Sequence, residues 1–131
     1  MKHGCVILAD RHPGLLEGIR GLLDAMFGTV VMVADSQSLF ETIQKLQPEL
    51  AIVDLSLNDT SATNIMRQCH ERFPNIKFII ISVYDEPNIV KSVMDTGAAG
   101  FVLKRSAGTD LIPAIEAVVE GRTYVSPLEN Q

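Results

Sequence analysis

A chain of 131 residues fits one folded domain and leaves no room for a second. Hydrophobic residues make up 47%, which excludes a disordered chain, and with aromatics at 5% and no Trp the core has to be aliphatic. The net charge of −5 comes with no basic run, so the composition offers no footprint for direct nucleic-acid binding.

The first apolar run, Cys5–Ala9, is strand-sized and ends in Asp10-Arg11. A helix is expected from about Pro13 to Ala25, with Pro13 in the first turn and Leu15, Leu16, Ile19, Leu22 and Leu23 on one face. Val30–Ala34 reads as a second strand. Ser36 is the expected N-cap of a second helix, whose stripe is Leu39, Phe40, Ile43 and Leu46 and which Pro48 stops. Leu50–Val53 is a third strand, ending at Asp54, and a third helix runs from about Thr63 to Phe73, before Pro74. The run Phe78–Ile81 ends in Ser82. A fourth helix follows Asp85, turns Ile89, Val90, Val93 and Met94 inward, and is capped by Gly97. Gly100–Leu103 ends in Lys104. A fifth helix begins near Thr109-Asp110 with Pro113 in its first turn, its apolar face formed by Ile112, Ile115, Val118 and Val119, and Gly121 ends it.

None of the five apolar runs alternates apolar with polar, so both faces of each strand are expected to be buried. Strand and helix alternate with short connections, which forces parallel strands and right-handed crossovers. The expected fold is a single α/β domain: a doubly wound five-stranded parallel sheet in the order 2-1-3-4-5. The domain is expected over residues 1–121, with 122–131 as a short tail or the start of a linker. No run is long enough to span a bilayer. Cys5 and Cys69 match no metal or redox spacing and read as reduced thiols in a cytoplasmic protein, and Asn58-Asp59-Thr60 is a chance sequon.

In a doubly wound sheet, ligands bind beyond the carboxyl ends of the strands. Here those ends carry Asp10-Arg11, Asp54, Ser82 and Lys104. One polar residue at a strand end is ordinary. Two carboxylates, a hydroxyl and an ammonium on four strands point to shared chemistry.

The stretches Ile7–Pro13, Glu49–Leu57, Ile81–Tyr84 and Gly97–Lys104 together resemble the receiver domain of two-component response regulators, and the first resembles its LuxR-type branch. The resemblance covers nearly the whole chain. It implies that Asp54 accepts a phosphoryl group from a histidine kinase or a small phosphodonor. It implies Mg²⁺ held by Asp10, Asp54 and the carbonyl of Ser56, with Lys104 and the Ser82 hydroxyl binding phosphoryl oxygens. It places Phe101 at the switch aromatic, which rotates inward and remodels the face formed by helix four, strand five and helix five. It further implies a signalling switch rather than an enzyme, a possible homodimer, and DNA contact only through an output domain absent from this chain.

Two departures qualify that expectation. Arg11 stands where the family has a second acid that binds Mg²⁺ directly, so the formal charge of Asp10, Asp54, Lys104 and Arg11 sums to zero. Arg11 is therefore expected to pair with Asp54 or Asp10 and to weaken or abolish Mg²⁺ binding, or else to point to solvent with the site intact. The loop after Asp54 has Asn58, Asp59 and Ala62 where the family has Pro, Gly and Gly. The competing reading is a receiver-like interaction module with impaired phosphorylation. An aspartate-nucleophile phosphatase would need a second acid where Ser56 stands. A flavodoxin-like carrier would need hydroxyls and glycines where Asp10–Pro13 stand.

Overall fold

The computed structural model describes residues 3–12, 17–57 and 64–128. Its strands are β1 (His3–Ala9), β2 (Phe27–Val33), β3 (Leu50–Asp54), β4 (Lys77–Ser82), β5 (Gly100–Leu103) and β6 (Tyr124–Val125). The helices between them are α1 (Glu17–Met26), α2 (Ser36–Leu46), α3 (Asn64–Arg72), α4 (Pro87–Asp95) and α5 (Ala107–Val119), with a 3₁₀ turn at Lys104–Ser106. All strands are parallel, in the order β2-β1-β3-β4-β5-β6.

The five expected strands thus appear in the expected order, and the chain adds a sixth. After α5 it returns along the outer edge of β5, pairing Tyr124 with Gly100 and Val125 with Phe101. The segment from residue 122, expected as a tail, is built into the fold at least as far as Leu128, which is buried in the core. Two apolar residues between polar ones gave too short a run to read as a strand.

Successive residues of the central strands alternate between two cores, as the pleat requires. Ile7, Ala51, Val53, Phe78, Ile80, Phe101 and Leu103 face the core with Leu39, Ile43, Met66, Val90 and Val93 of α2, α3 and α4. Val6, Leu8, Leu50, Ile52, Ile79, Ile81 and Val102 face the core with Leu23, Leu111, Ile115 and Val118 of α1 and α5. Unbroken apolar strands follow from having helices on both sides. Strand β2 differs: as the uncovered edge it is mostly half-buried or exposed, and it starts at Phe27, earlier than expected.

Helix ends show where local chemistry outweighed the sequence reading. Asp35, not Ser36, caps α2: its carboxylate accepts the Ser38 amide at 2.7 Å. Leu46, expected in the α2 stripe, is 41% exposed because it lies in the helix's last turn. Helix α5 begins at Ala107, directly after the 3₁₀ turn, so Pro113 lies inside the helix rather than in its first turn. Its buried face accordingly runs through Leu111, Ala114, Ile115 and Val118, with Ile112 and Val119 at the margin. Gly97 follows α4 at φ 122°, where a Cβ would meet the His70 ring at 2.5 Å, so both backbone and space require glycine. The start of α1 at Pro13, with Leu15 and Leu16, lies outside the described residues, as do Asn58–Thr60, Ala62 and Thr63.

Cys69 is buried among aliphatic side chains, which pushes its thiol up to about 12, and Cys5 is partly buried. Both cysteines are free thiols. Among the described residues, no helix is long and apolar enough to cross a membrane.

Candidate functional site

Three of the four strand ends turn in the same way. The Asp10 carboxylate accepts the His12 amide at 2.8 Å, that of Asp54 accepts the Ser56 amide at 2.9 Å, and the Ser82 hydroxyl accepts the Tyr84 amide at 2.8 Å. A short polar side chain bonding its own backbone two residues on is a local turn device. Here it ends each strand and fixes the side chain at the rim. Asp10, Asp54 and Ser82 are each no more than 2% exposed.

Lys104, the first residue after β5, closes the arrangement. Its ammonium donates to Asp54 Oδ2 at 2.6 Å and lies 3.1 Å from Asp10 Oδ2. Asp54 Oδ1 takes the Ser56 amide and also the Ser56 hydroxyl, both at 2.9 Å. The side chain of Ser56 is therefore engaged, where the sequence reading gave weight only to its backbone. Asp10 Oδ2 is ion-paired with the same ammonium in a less direct geometry and has no other partner among the described residues.

The charges follow from this geometry. Burial pushes Asp54 up, but the hydrogen bonds from Lys104 and Ser56 and the positive charge of Lys104 outweigh it, so its carboxyl is held below the usual range. Asp10 is raised, chiefly by burial and further by the negative charge of Asp54, against the His12 amide and Lys104. Burial alone would lower Lys104, but its two carboxylate partners raise it. Asp54 is thus an ionised carboxylate, shielded from water and held by an ammonium. Such a group can act as an oxygen nucleophile toward an electrophile that enters from the rim.

The structure therefore brings Asp10, Asp54, Ser56 and Lys104 together. Ser82 ends the neighbouring strand, but its hydroxyl is turned to Tyr84, accepting from that amide and donating to its carbonyl at 3.3 Å. Phe101 is fully buried in the core on the α2–α4 side. Arg11 is exposed, in keeping with the second of the two positions expected for it, and the ammonium at Asp54 and Asp10 is that of Lys104. Asp10 turns inward at the end of β1, so the next side chain turns outward. Sequence reading missed the Asp85–Arg105 ion pair, 3.1 Å, which joins the loop after β4 to the turn after β5 beside the rim. Nothing in the spacing of those two residues signals their meeting.

The oxygen chemistry of the site suits a hard cation. Mg²⁺ keeps several waters and is commonly held by one or two carboxylates. Two buried carboxylates are present, and Asp10 Oδ2 has no partner among the described residues other than the Lys104 ammonium. Among the described residues no three acidic, histidine or cysteine side chains gather as a metal cluster.

A doubly wound parallel sheet with aspartates closing β1 and β3 and a lysine following β5 defines a signalling domain of the receiver class. The sequence profile of the response regulator receiver domain matches residues 6–116. The transcriptional regulatory protein RcsB of Escherichia coli is 32% identical over 129 residues, covering 95% of this chain and 60% of that protein. The transcriptional regulatory protein DegU of Brevibacillus brevis is 27% identical over 124 residues, covering 93% of this chain and 52% of that protein. The isolated receiver domain of RcsB from Salmonella enterica serovar Typhimurium, solved with the phosphomimetic BeF3⁻, superposes with a TM-score of 0.85 at 30% identity, covering 95% of this chain and 94% of that one. The chain belongs to the response regulator receiver domain family. It spans between half and two thirds of the length of these curated relatives.

Proposed function

We propose that Asp54 is the phosphoacceptor of a two-component response regulator of transcription. The observation that carries this reading is the ionised, nearly buried Asp54 carboxylate at the end of β3, held by Lys104 and Ser56. A carboxylate oxygen attacks the phosphorus of a kinase phosphohistidine, forming a P–O bond as the P–N bond breaks and the histidine leaves. With acetyl phosphate the leaving group is acetate. Phosphoryl transfer of this kind depends mainly on alignment and neutralisation of oxygen charge. Lys104 supplies a cation to one phosphoryl oxygen. The Ser82 hydroxyl exchanges Tyr84 for another, which draws the loop with exposed Val83 and Tyr84 toward the site. Phe101, fully buried beside this loop's strand, responds as the family's switch aromatic.

Asp10, Asp54 and the Ser56 carbonyl would hold Mg²⁺, which when bound supplies further positive charge to the phosphoryl oxygens. Arg11 replaces one of the family's acids, so this chain binds Mg²⁺ more weakly than a receiver with both. The donor is a histidine kinase or a small acyl phosphate. The switch acts by homodimerisation and by an output domain that contacts DNA; the promoter-bound structures of RcsB support the second of these. A second, competing reading rests on Arg11 standing where the family has an acid: a receiver-like module whose Asp54 stays unmodified.

The experiment is incubation with acetyl phosphate over a Mg²⁺ titration, followed by intact mass and peptide mapping. One phosphoryl group on Asp54 is expected, at Mg²⁺ concentrations about tenfold higher than Arg11→Asp requires. Absence of modification in both proteins at saturating Mg²⁺ overturns the phosphoacceptor reading in favour of the second.

A further inference from the structure

The sheet's last strand does more than cover an edge. Parallel pairing of β6 to β5 is carried by the Tyr124 amide on the Ala99 carbonyl at 3.1 Å and the Ser126 amide on the Phe101 carbonyl at 2.9 Å. The next backbone donor of β5, the Leu103 amide, is buried and meets no strand carbonyl there. It donates to the Ser126 hydroxyl at 3.2 Å, and that hydroxyl donates in turn to Asp110 Oδ2 of α5 at 2.8 Å. Ser126 is 1% exposed. Two residues on, Leu128 is 8% exposed and lies in the same core as Phe101, Leu103 and Val90. The segment 124–128 is therefore a strap, tied by a hydroxyl to both β5 and α5 and pinned by an apolar side chain.

What it ties is the residue before Lys104. A lysine places its ammonium through a long flexible stem, so the position of its backbone decides which partners it reaches. Here the ammonium must reach Asp54 and Asp10 together. We propose that Ser126 is a positioning residue for Lys104, and that docking of the strap and the bridging of Asp54 and Asp10 by Lys104 are one coupled equilibrium. The role of Lys104 toward a phosphoryl group rests on the reading above. The coupling is a property of the chain and is reciprocal: releasing the strap loosens Lys104, and drawing Lys104 off its carboxylates loosens the strap. An event at Asp54 is thereby read at residues 124–128, on the sheet edge, without repacking of the helices.

The test uses the full chain with no phosphodonor, so a failure of Asp54 to accept phosphate leaves it fully readable. In the first arm, the nitrogen-15 signal of the Lys104 ammonium is followed in wild type, Ser126→Ala and Ser126→Thr. The signal is expected to be sharp in wild type, broadened or lost in Ser126→Ala, and restored in Ser126→Thr, with that of Lys91 unchanged throughout. A serine that only stabilised the fold would leave the Lys104 signal in place. In the second arm, amide hydrogen exchange is measured in Lys104→Met. Exchange at Tyr124 and Ser126 is expected to quicken about tenfold relative to the β2 amides, within the usual range of coupling between sites. A Lys104 signal that is the same in Ser126→Ala as in wild type overturns the proposal, as does unchanged strap exchange in a folded Lys104→Met. If Lys104→Met does not fold, the first arm decides alone.

Discussion

The same parallel sheet ends in two unlike ways. At the carboxyl ends of its strands, Asp10, Asp54 and Ser82 are buried, and Lys104, with a side chain 18% exposed, joins the two acids. At the amino ends, His3 Nδ1 and Glu49 Oε1 stand 3.6 Å apart with side chains 38% and 43% exposed, and the Lys77 ammonium caps the Val118 carbonyl near the end of α5. Helices that cover a parallel sheet run against its strands, so their amino termini gather at the rim and their carboxyl termini at the foot. The helix dipoles therefore favour anions at one end and cations at the other. The difference in consequence comes from water. At the foot the charges are solvated and screened, whereas at the rim removal of one partner strands the others in a poor solvent for charge.

The sharpest way to break this contrast is Lys104→Met. It removes the only cation paired with Asp10 and Asp54 among the described residues and leaves two carboxylates buried side by side. A loss of about 3 kcal/mol in urea unfolding at pH 7 is expected. The pH dependence has two limbs. Lys104 is raised above its ordinary 10.5, so its contribution is complete below that value and is lost as pH rises through the raised one. Asp54 is held below its ordinary 3.8, so its contribution is present above that value and is lost as pH falls through the lowered one. Wild type and variant should therefore differ most between these limits and converge outside them. A constant difference across the whole range would mean that Lys104 acts by packing, not by charge.

Much of the rim was legible because each residue lies where an apolar run stops. Asp54 closes Leu50–Val53, Ser82 closes Phe78–Ile81 and Lys104 follows Gly100–Leu103, so strand boundaries alone set them in a row. The sheet order was legible because buried runs on both faces admit few arrangements. What sequence hid was orientation. Arg11 and Asp10 are neighbours, yet one is exposed and the other buried at the site, and no pattern in a loop of that length says which. Ser126 and Leu128 were hidden for another reason: their burial depends on β5 lying at an open edge, a fact of the assembled fold. Pro113 suggested a helix start near itself because a proline in a first turn breaks no bond, but the helix began earlier because the turn at Lys104–Ser106 runs directly into it.

A smaller effect of opposite sign is expected at Asp10. Its folded value is raised above the ordinary 3.8, mostly by burial and then by Asp54, so whatever it contributes is present below 3.8 and is lost as pH rises through the raised value. The cost of burying its charge therefore outweighs the help of the nearby ammonium, whose shorter contact is with Asp54. Asp10→Asn keeps an acceptor for the His12 amide and removes the charge. It should raise stability at pH 7 by about 1 kcal/mol, with the gain vanishing in acid, and it should lower Mg²⁺ affinity at the same time. Differential scanning calorimetry with and without Mg²⁺ reads both. Destabilisation at pH 7 would show that the attraction of Lys104 outweighs burial at this carboxylate.

The foot of the sheet supplies the smallest effect. Glu49→Gln removes the negative partner of His3 but keeps an oxygen to accept the Gly4 amide, now 3.0 Å from Oε2. Both side chains are more than a third exposed, so solvent and salt already screen the pair. Stability is expected to change by no more than about 0.5 kcal/mol, and by less in 1 M salt. Urea titrations at low and high ionic strength measure this directly. A loss comparable to that of Lys104→Met would mean that the amino ends of the strands are as poorly solvated as the rim, and burial would no longer explain why charge matters at one end of the sheet and not at the other.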